Sequence, residues 1–155
     1  MALRDIVKEG EPVLRQKCYE VTLFNERLGV TLDDMIETMF AADGVGLAAP
    51  QVGIPKRMCV VSIDGKTIYE LVNPVIVKTA GKQTGIEGCL SIPGEHALVE
   101  RPQTVWVEAK DRHGKLNKYK VSDLTAVAFC HEIDHLDGIL YIDKVVKNDK
   151  KQNKE

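Results

Sequence analysis

Between Lys56 and Val121 the sequence is a succession of short β-patterned runs, with helix-patterned segments on both sides of it. Thr104–Lys110 alternates Val105, Val107 and Ala109 with Thr104, Trp106 and Glu108, the period of two of a strand with unlike faces. Residues 58–63 are β-rich, Asp64-Gly65 signals a tight turn, and residues 67–72 read as the returning antiparallel strand. Pro74 is expected to interrupt pairing, residues 75–79 and 83–87 flank a turn at Gly81, and Asp111-Arg112-His113-Gly114 leads into a strand over residues 116–121. Before this block, Pro12 suits the start of a short helix. Leu28, Leu32, Met35, Ile36 and Met39 then recur at helical spacing and predict a helix over residues 26–43, with Gly44 placed to stop it in a left-handed conformation. After the block, Ser122 reads as the N-cap of a second helix running to about Leu136, and Gly138 as its terminator. Helix, many short strands, helix, without a repeat or a linker, predicts an α+β fold with a mainly antiparallel sheet.

The chain has 155 residues, enough for one domain with a single core, and its 44% hydrophobic and 28% charged residues are ordinary for a globular protein. A net charge of −2 offers no basic footprint for DNA. No apolar run approaches the roughly 20 residues of a membrane span, and the mixed charges of residues 1–9 do not read as a signal peptide, so a cytoplasmic location is expected. Cys18, Cys59, Cys89 and Cys130 are widely spaced without a Cys-x-x-Cys pair, which argues against a disulfide framework and leaves most of them as small buried hydrophobes. Residues 147–155 contain no apolar side chain and read as a frayed polar tail behind a single domain over residues 1–146.

His131 and His135 stand four apart on the second helix, so both imidazoles project from one face and can meet one metal ion. Glu132 points to the side, where it can reach a water at the metal without ligating it, the arrangement of a His-Glu-x-x-His hydrolase. Leu124, Val127 and Ala128 share the helical spacing of the histidines, and two histidines on an apolar face are costly unless metal ligation satisfies them. His96 and His113 fall in loop-like stretches. A catalytic site needs a third protein ligand, and no histidine follows His135. Cys89, set between Gly88 and Pro93, is the leading upstream candidate, against the simpler reading of a buried structural thiol. Residues 44–53 match Gly-x-Gly-x-x-Ala, but a helix precedes them and Pro50 and Gly53 oppose a following one, so a dinucleotide site is excluded. The glycines suit close approach of another backbone, and Gln51 supplies an amide donor for an oxyanion; the plainer alternative is a tight connection.

Residues 44–53, 87–93 and 131–138 together resemble the three signature motifs of the peptide deformylases: Gly-φ-Gly-φ-Ala-Ala-x-Gln (φ apolar), Glu-Gly-Cys-φ-Ser and His-Glu-x-Asp-His-φ-x-Gly, in the same order and at similar separations. The resemblance covers the chain apart from its tail. It implies mainly antiparallel sheets packed around a central helix that carries His-Glu-x-x-His, with a long N-terminal helix. It also implies removal of the N-formyl group from the initiator methionine of nascent proteins, with release of formate. Cys89, His131 and His135 would bind one divalent ion, natively Fe²⁺, with Zn²⁺, Ni²⁺ or Co²⁺ as substitutes. Glu132 would serve as general base toward water and then as acid toward the leaving amine. Gln51 and the backbone N–H of Leu90 would stabilise the tetrahedral oxygen.

Val45, Gly46 and Gly88 would hold the substrate backbone as an added strand. Leu124, Val127 and Ala128 are placed to line a methionine pocket, with Val45 and Glu87 at its rim. Many members of the family carry arginine where this chain has His96. The lysine-rich tail raises a transient ribosome contact, against the simpler reading of a solvated terminus. A zincin-type endoprotease and a structural metal module are the competing readings. The first predicts that Cys89 is dispensable for metal binding, the second a closed four-ligand site without activity.

Overall fold

The computed structural model describes residues 2–146. Helix α1 (Glu26–Ala41) begins where the side chain of Asn25 accepts from the Leu28 N–H at 3.1 Å. The strands that follow are β1 (Gly46–Ala48), β2 (Met58–Val61), β3 (Tyr69–Ala80), β4 (Gln83–Cys89), β5 (Ile92–Arg101), β6 (Thr104–Lys110) and β7 (Leu116–Ser122), and the second helix is α2 (Asp123–Leu136). All strand pairs are antiparallel. Five strands form one sheet in the order β1-β2-β3-β6-β7, while β4 and β5 form a separate two-stranded ribbon. The 3-10 turns Pro12–Arg15, Ala49–Val52 and Tyr141–Lys144 complete the regular structure.

Alternation along β2 explains how the layers assemble. Cys59 and Val61 join Leu71, Val105, Val107 and Ala109 in one core that packs on Phe129, Ile133 and Leu136 of α2. Met58 and Val60 face the other way and pack with Leu32, Met35 and Met39 of α1. The strand is therefore apolar at every position, as one covered on both faces must be. Edge-to-face contacts among Tyr69, Tyr119 and Phe129 close the first core at centroid distances of 5.1–6.0 Å. A third cluster of Ile92, Val99, Leu140 and Tyr141 ties the ribbon to the C-terminal turn.

Several local expectations are corrected. Pro74 does not end a strand: β3 runs through it, and the register to β6 slips between Val72 and Val75. The bulge is held by Asn73, which is left-handed at φ 51°; its side chain accepts from the Val21 N–H and donates to the Val21 carbonyl, both at 2.9 Å. After α1 the left-handed residue is Asp43 (φ 57°), not Gly44. Ser122 makes no side-chain cap; its hydroxyl lies 2.8 Å from that of Thr104 on the neighbouring strand. Gly138 does terminate α2 at φ 74°, its N–H donating to the His135 carbonyl at 3.1 Å. Helix α1 starts at Glu26 as its spacing predicts but ends at Ala41, short of Asp43, and strand β5 occupies a stretch in which no strand was expected.

Candidate active site and metal centre

Helix α2 carries His131, Glu132 and His135 against β1 on one side and the β4–β5 ribbon on the other. All three side chains are buried, and the two histidine rings lie 5.1 Å apart. Cys89, at the end of β4, places its sulfur 3.5 Å from His135 Nε2. One ligand atom from each of Cys89, His131 and His135 falls within 4.8 Å of the others. A thiol and two imidazoles converging this closely suit a divalent transition-metal ion. His131 Nδ1 is 3.0 Å from Glu87 Oε1, which leaves its other nitrogen as the candidate ligand atom. Burial holds His135 well below its usual pKa, as neutral imidazole. At His131 burial acts in the same sense, but hydrogen bonds to Cys89 and Glu87 and the charge of Glu132 outweigh it and raise the pKa to about 10.

Glu132 is 5% exposed, and its Oε1 has no protein partner. Burial pushes its pKa up to about 7, against the opposing charges of His131 and Arg101. Gln51, 1% exposed, is fixed by accepting from the Ala48 N–H at 3.0 Å. That orientation directs its Nε2 at Cys89 Sγ (3.5 Å) and Ser91 Oγ (3.1 Å).

These groups open onto a cleft of about 430 Å³. The cleft brings together every residue expected at the site except His135, which is enclosed behind it: Val45, Gly46, Gln51, Glu87, Gly88, Cys89, Leu90, Leu124, Val127, Ala128, His131 and Glu132 all line it. Three placements differ from expectation. Glu87 is not a rim residue: it is buried, and its carboxylate is held between Arg101 and His131. Burial would raise its pKa, but the hydrogen bonds from Arg101 and His131 bring it down to about 2. Leu124 is not part of a buried helix face, being 58% exposed at the cleft mouth. His96, expected in an ordinary loop, lies on β5, lines the cleft and packs against Gly88. Arg101 and Tyr141, which support the histidines from behind, escaped the sequence reading, and Asp134 entered it only as a motif position. The available signal was a charged residue at Arg101 on the alternation of Ala97 and Val99.

A family model described as polypeptide deformylase matches residues 3–151. The chain belongs to the polypeptide deformylase family. A peptide deformylase from Heliobacterium modesticaldum is 57% identical over 145 residues, spanning 94% of this chain and 95% of that protein. One from Alkaliphilus metalliredigens is 51% identical over 147 residues, spanning 95% and 99%. Among solved structures, the Thermotoga maritima peptide deformylase superposes with a TM-score of 0.91 at 39% identity, covering 93% of this chain and 98% of that one. The Synechococcus elongatus peptide deformylase, solved in complex with actinonin, gives 0.91 at 40% identity, covering 97% and 82%. The mixed architecture of helices and antiparallel sheets is that of the solved deformylases. Peptide deformylases are metal-dependent hydrolases that remove the formyl group from formylated nascent peptides, and that is the reaction of this chain.

Proposed function

We propose that Cys89, His131 and His135 hold one divalent ion, natively Fe²⁺ with Zn²⁺, Ni²⁺ or Co²⁺ as substitutes, and that residues around the cleft carry out deformylation at that centre. The convergence of one thiol and two imidazoles beside the buried, unpartnered carboxylate of Glu132 carries this reading. When bound, the ion would lower the pKa of water toward about 7 and polarise the formyl oxygen. Glu132 takes a proton from water as the water oxygen attacks the formyl carbon. The C–N bond then breaks, and Glu132 returns the proton to the departing amine, leaving formate and a free amino terminus. A carboxyl with a pKa near neutrality suits both halves of this exchange. Gln51 Nε2 and the Leu90 N–H donate to the oxygen that gains charge.

In the same reading, Val45, Gly46 and Gly88 receive the peptide backbone as an added strand. Val127 and Ala128 line the methionine pocket, with Leu124 at its mouth and Glu87 acting through His131. Helix α2, with the sheets around it, is the scaffold of a single catalytic domain over residues 1–146. The enzyme works in the cytoplasm, and among the described residues no helix is long and apolar enough to cross a membrane. The lysine-rich tail is proposed to touch the ribosome transiently; residues 147–155 lie outside the described residues. Formate release from formyl-Met-Ala-Ser by anaerobically purified, Fe²⁺-loaded protein tests the reading. Cleavage of internal peptide bonds instead of formate release would favour an endoprotease.

A further inference from the structure

Behind the histidines runs a chain of charged groups, of which Arg101, Asp134 and Lys144 are not part of the cleft wall. Arg101 on β5 is 3% exposed. Its Nε donates to Glu87 Oε2 at 2.8 Å, its Nη2 to Glu87 Oε1 at 2.9 Å, and its Nη1 to Asp134 Oδ2 at 2.7 Å. Lys144, on the C-terminal turn, reaches the same Asp134 oxygen at 3.0 Å. Glu87 Oε1 in turn faces His131 Nδ1. The chain Lys144–Asp134–Arg101–Glu87–His131 thus joins the C-terminal turn, α2, β5 and β4.

Burying Arg101 and Glu87 is costly, and well-packed apolar side chains would often serve stability as well. What apolar groups cannot do is fix the direction of a histidine ring. A lone glutamate beside His131 could rotate about its own torsions. The guanidinium fork takes both oxygens of Glu87 and leaves Oε1 aimed at Nδ1.

We infer that Arg101 is a positioning residue, which locks Glu87 against His131 Nδ1 so that Nε2 presents its lone pair to the ion, while Asp134 and Lys144 hold Arg101 in place. This rests on the proposed role of His131 as a metal ligand. The tautomer with hydrogen on Nδ1 is the one that the Glu87 acceptor selects. Lysine at position 101 would keep the charge but could not fork onto Glu87 while bonding Asp134.

The test is a Co²⁺ titration of metal-free wild type, Arg101→Lys and Asp134→Asn, followed by visible absorption under competition with a chelator. Circular dichroism and the thermal midpoint are recorded for each. Arg101→Lys is expected to weaken Co²⁺ binding about 10- to 100-fold and to shift the Co²⁺ bands. The Co²⁺-saturated variant should lose kcat with KM little changed. Asp134→Asn, which preserves side-chain volume, is expected to weaken binding in the same direction, and it reports on the same link if Arg101→Lys does not fold. Lowered thermal midpoints with unchanged Co²⁺ affinity and bands would mean that the chain is structural only, overturning the inference while leaving the ion site standing. Absence of thiolate-type Co²⁺ absorption in wild type would overturn the ion site, and the inference with it.

Discussion

Gly46 lies against Glu132 with no room for a side chain between them. A β-carbon at position 46 would overlap Glu132 Oε2 and come within 2.8 Å of its Cγ. Strand β1 reaches the helix this closely because position 46 carries only hydrogen, which is how the proposed general base comes to sit beside the strand that would receive the peptide.

Gly46→Ala should therefore displace Glu132 while leaving Cys89, His131 and His135 in place. A shift of about 1 Å in a catalytic group can cost on the order of 100-fold. Steady-state kinetics should show a loss of kcat of that order, and metal analysis should show unchanged content.

Replacing Gln51 with alanine removes the proposed oxyanion donor. Its Nε2 already points at Cys89 and Ser91 because Ala48 fixes the other end of the amide. The expected effect is a fall in kcat of about 10²- to 10³-fold, with a smaller change in KM.

Some of this architecture is legible in the sequence, and the division has physical causes. Helix α1 and strand β6 are readable because each buries one face, so Leu28, Leu32, Met35 and Met39 keep a helical period and Val105, Val107 and Ala109 a strand period. Strand β5 is hidden because Pro93 and Gly94 mimic a turn and because the ribbon buries few of its residues. The bulge at Asn73 depends on Val21, 52 residues earlier, which no local pattern reveals. At the site, metal-ligand candidates and the proposed base are visible as side-chain chemistry at fixed spacing. The support behind them is not: Glu87 meets Arg101 and His131 at sequence separations of 14 and 44, so its burial follows only from the fold.

Phe129 tests the core on which α2 rests. It is fully buried and meets Tyr69 and Tyr119 edge-to-face. Phe129→Ala should lower the unfolding free energy by about 3–5 kcal/mol, measured by urea denaturation.

Acid sensitivity has a defined contributor away from the cleft. The Ala2 N–H donates to Asp34 at 2.7 Å, and Arg4 donates to it at 3.0 and 3.2 Å. The Ala2 hydrogen bond, joined by Arg4 and opposed by burial, holds the carboxyl below its usual pKa. Because the folded state prefers the charged form, the stabilisation is complete above the unfolded aspartate value of about 3.9 and is lost as pH falls through the lower folded value. Urea midpoints of wild type and Asp34→Asn should differ by a constant amount between about pH 5 and pH 7 and converge below about pH 4. A gap that widens on acidification would contradict this sign.

In the proposed division of labour, Cys89, His131 and His135 hold the ion while Glu132 moves the proton. Its most direct test is metal content and formate release from formyl-Met-Ala-Ser, measured together on Fe²⁺-loaded wild type, Glu132→Ala and Cys89→Ala. One ion and turnover are expected for wild type, an ion without turnover for Glu132→Ala because that side chain is not among the proposed ligands, and neither for Cys89→Ala because only two protein ligands remain. A Cys89→Ala protein that keeps its ion and releases formate at the wild-type rate would contradict it.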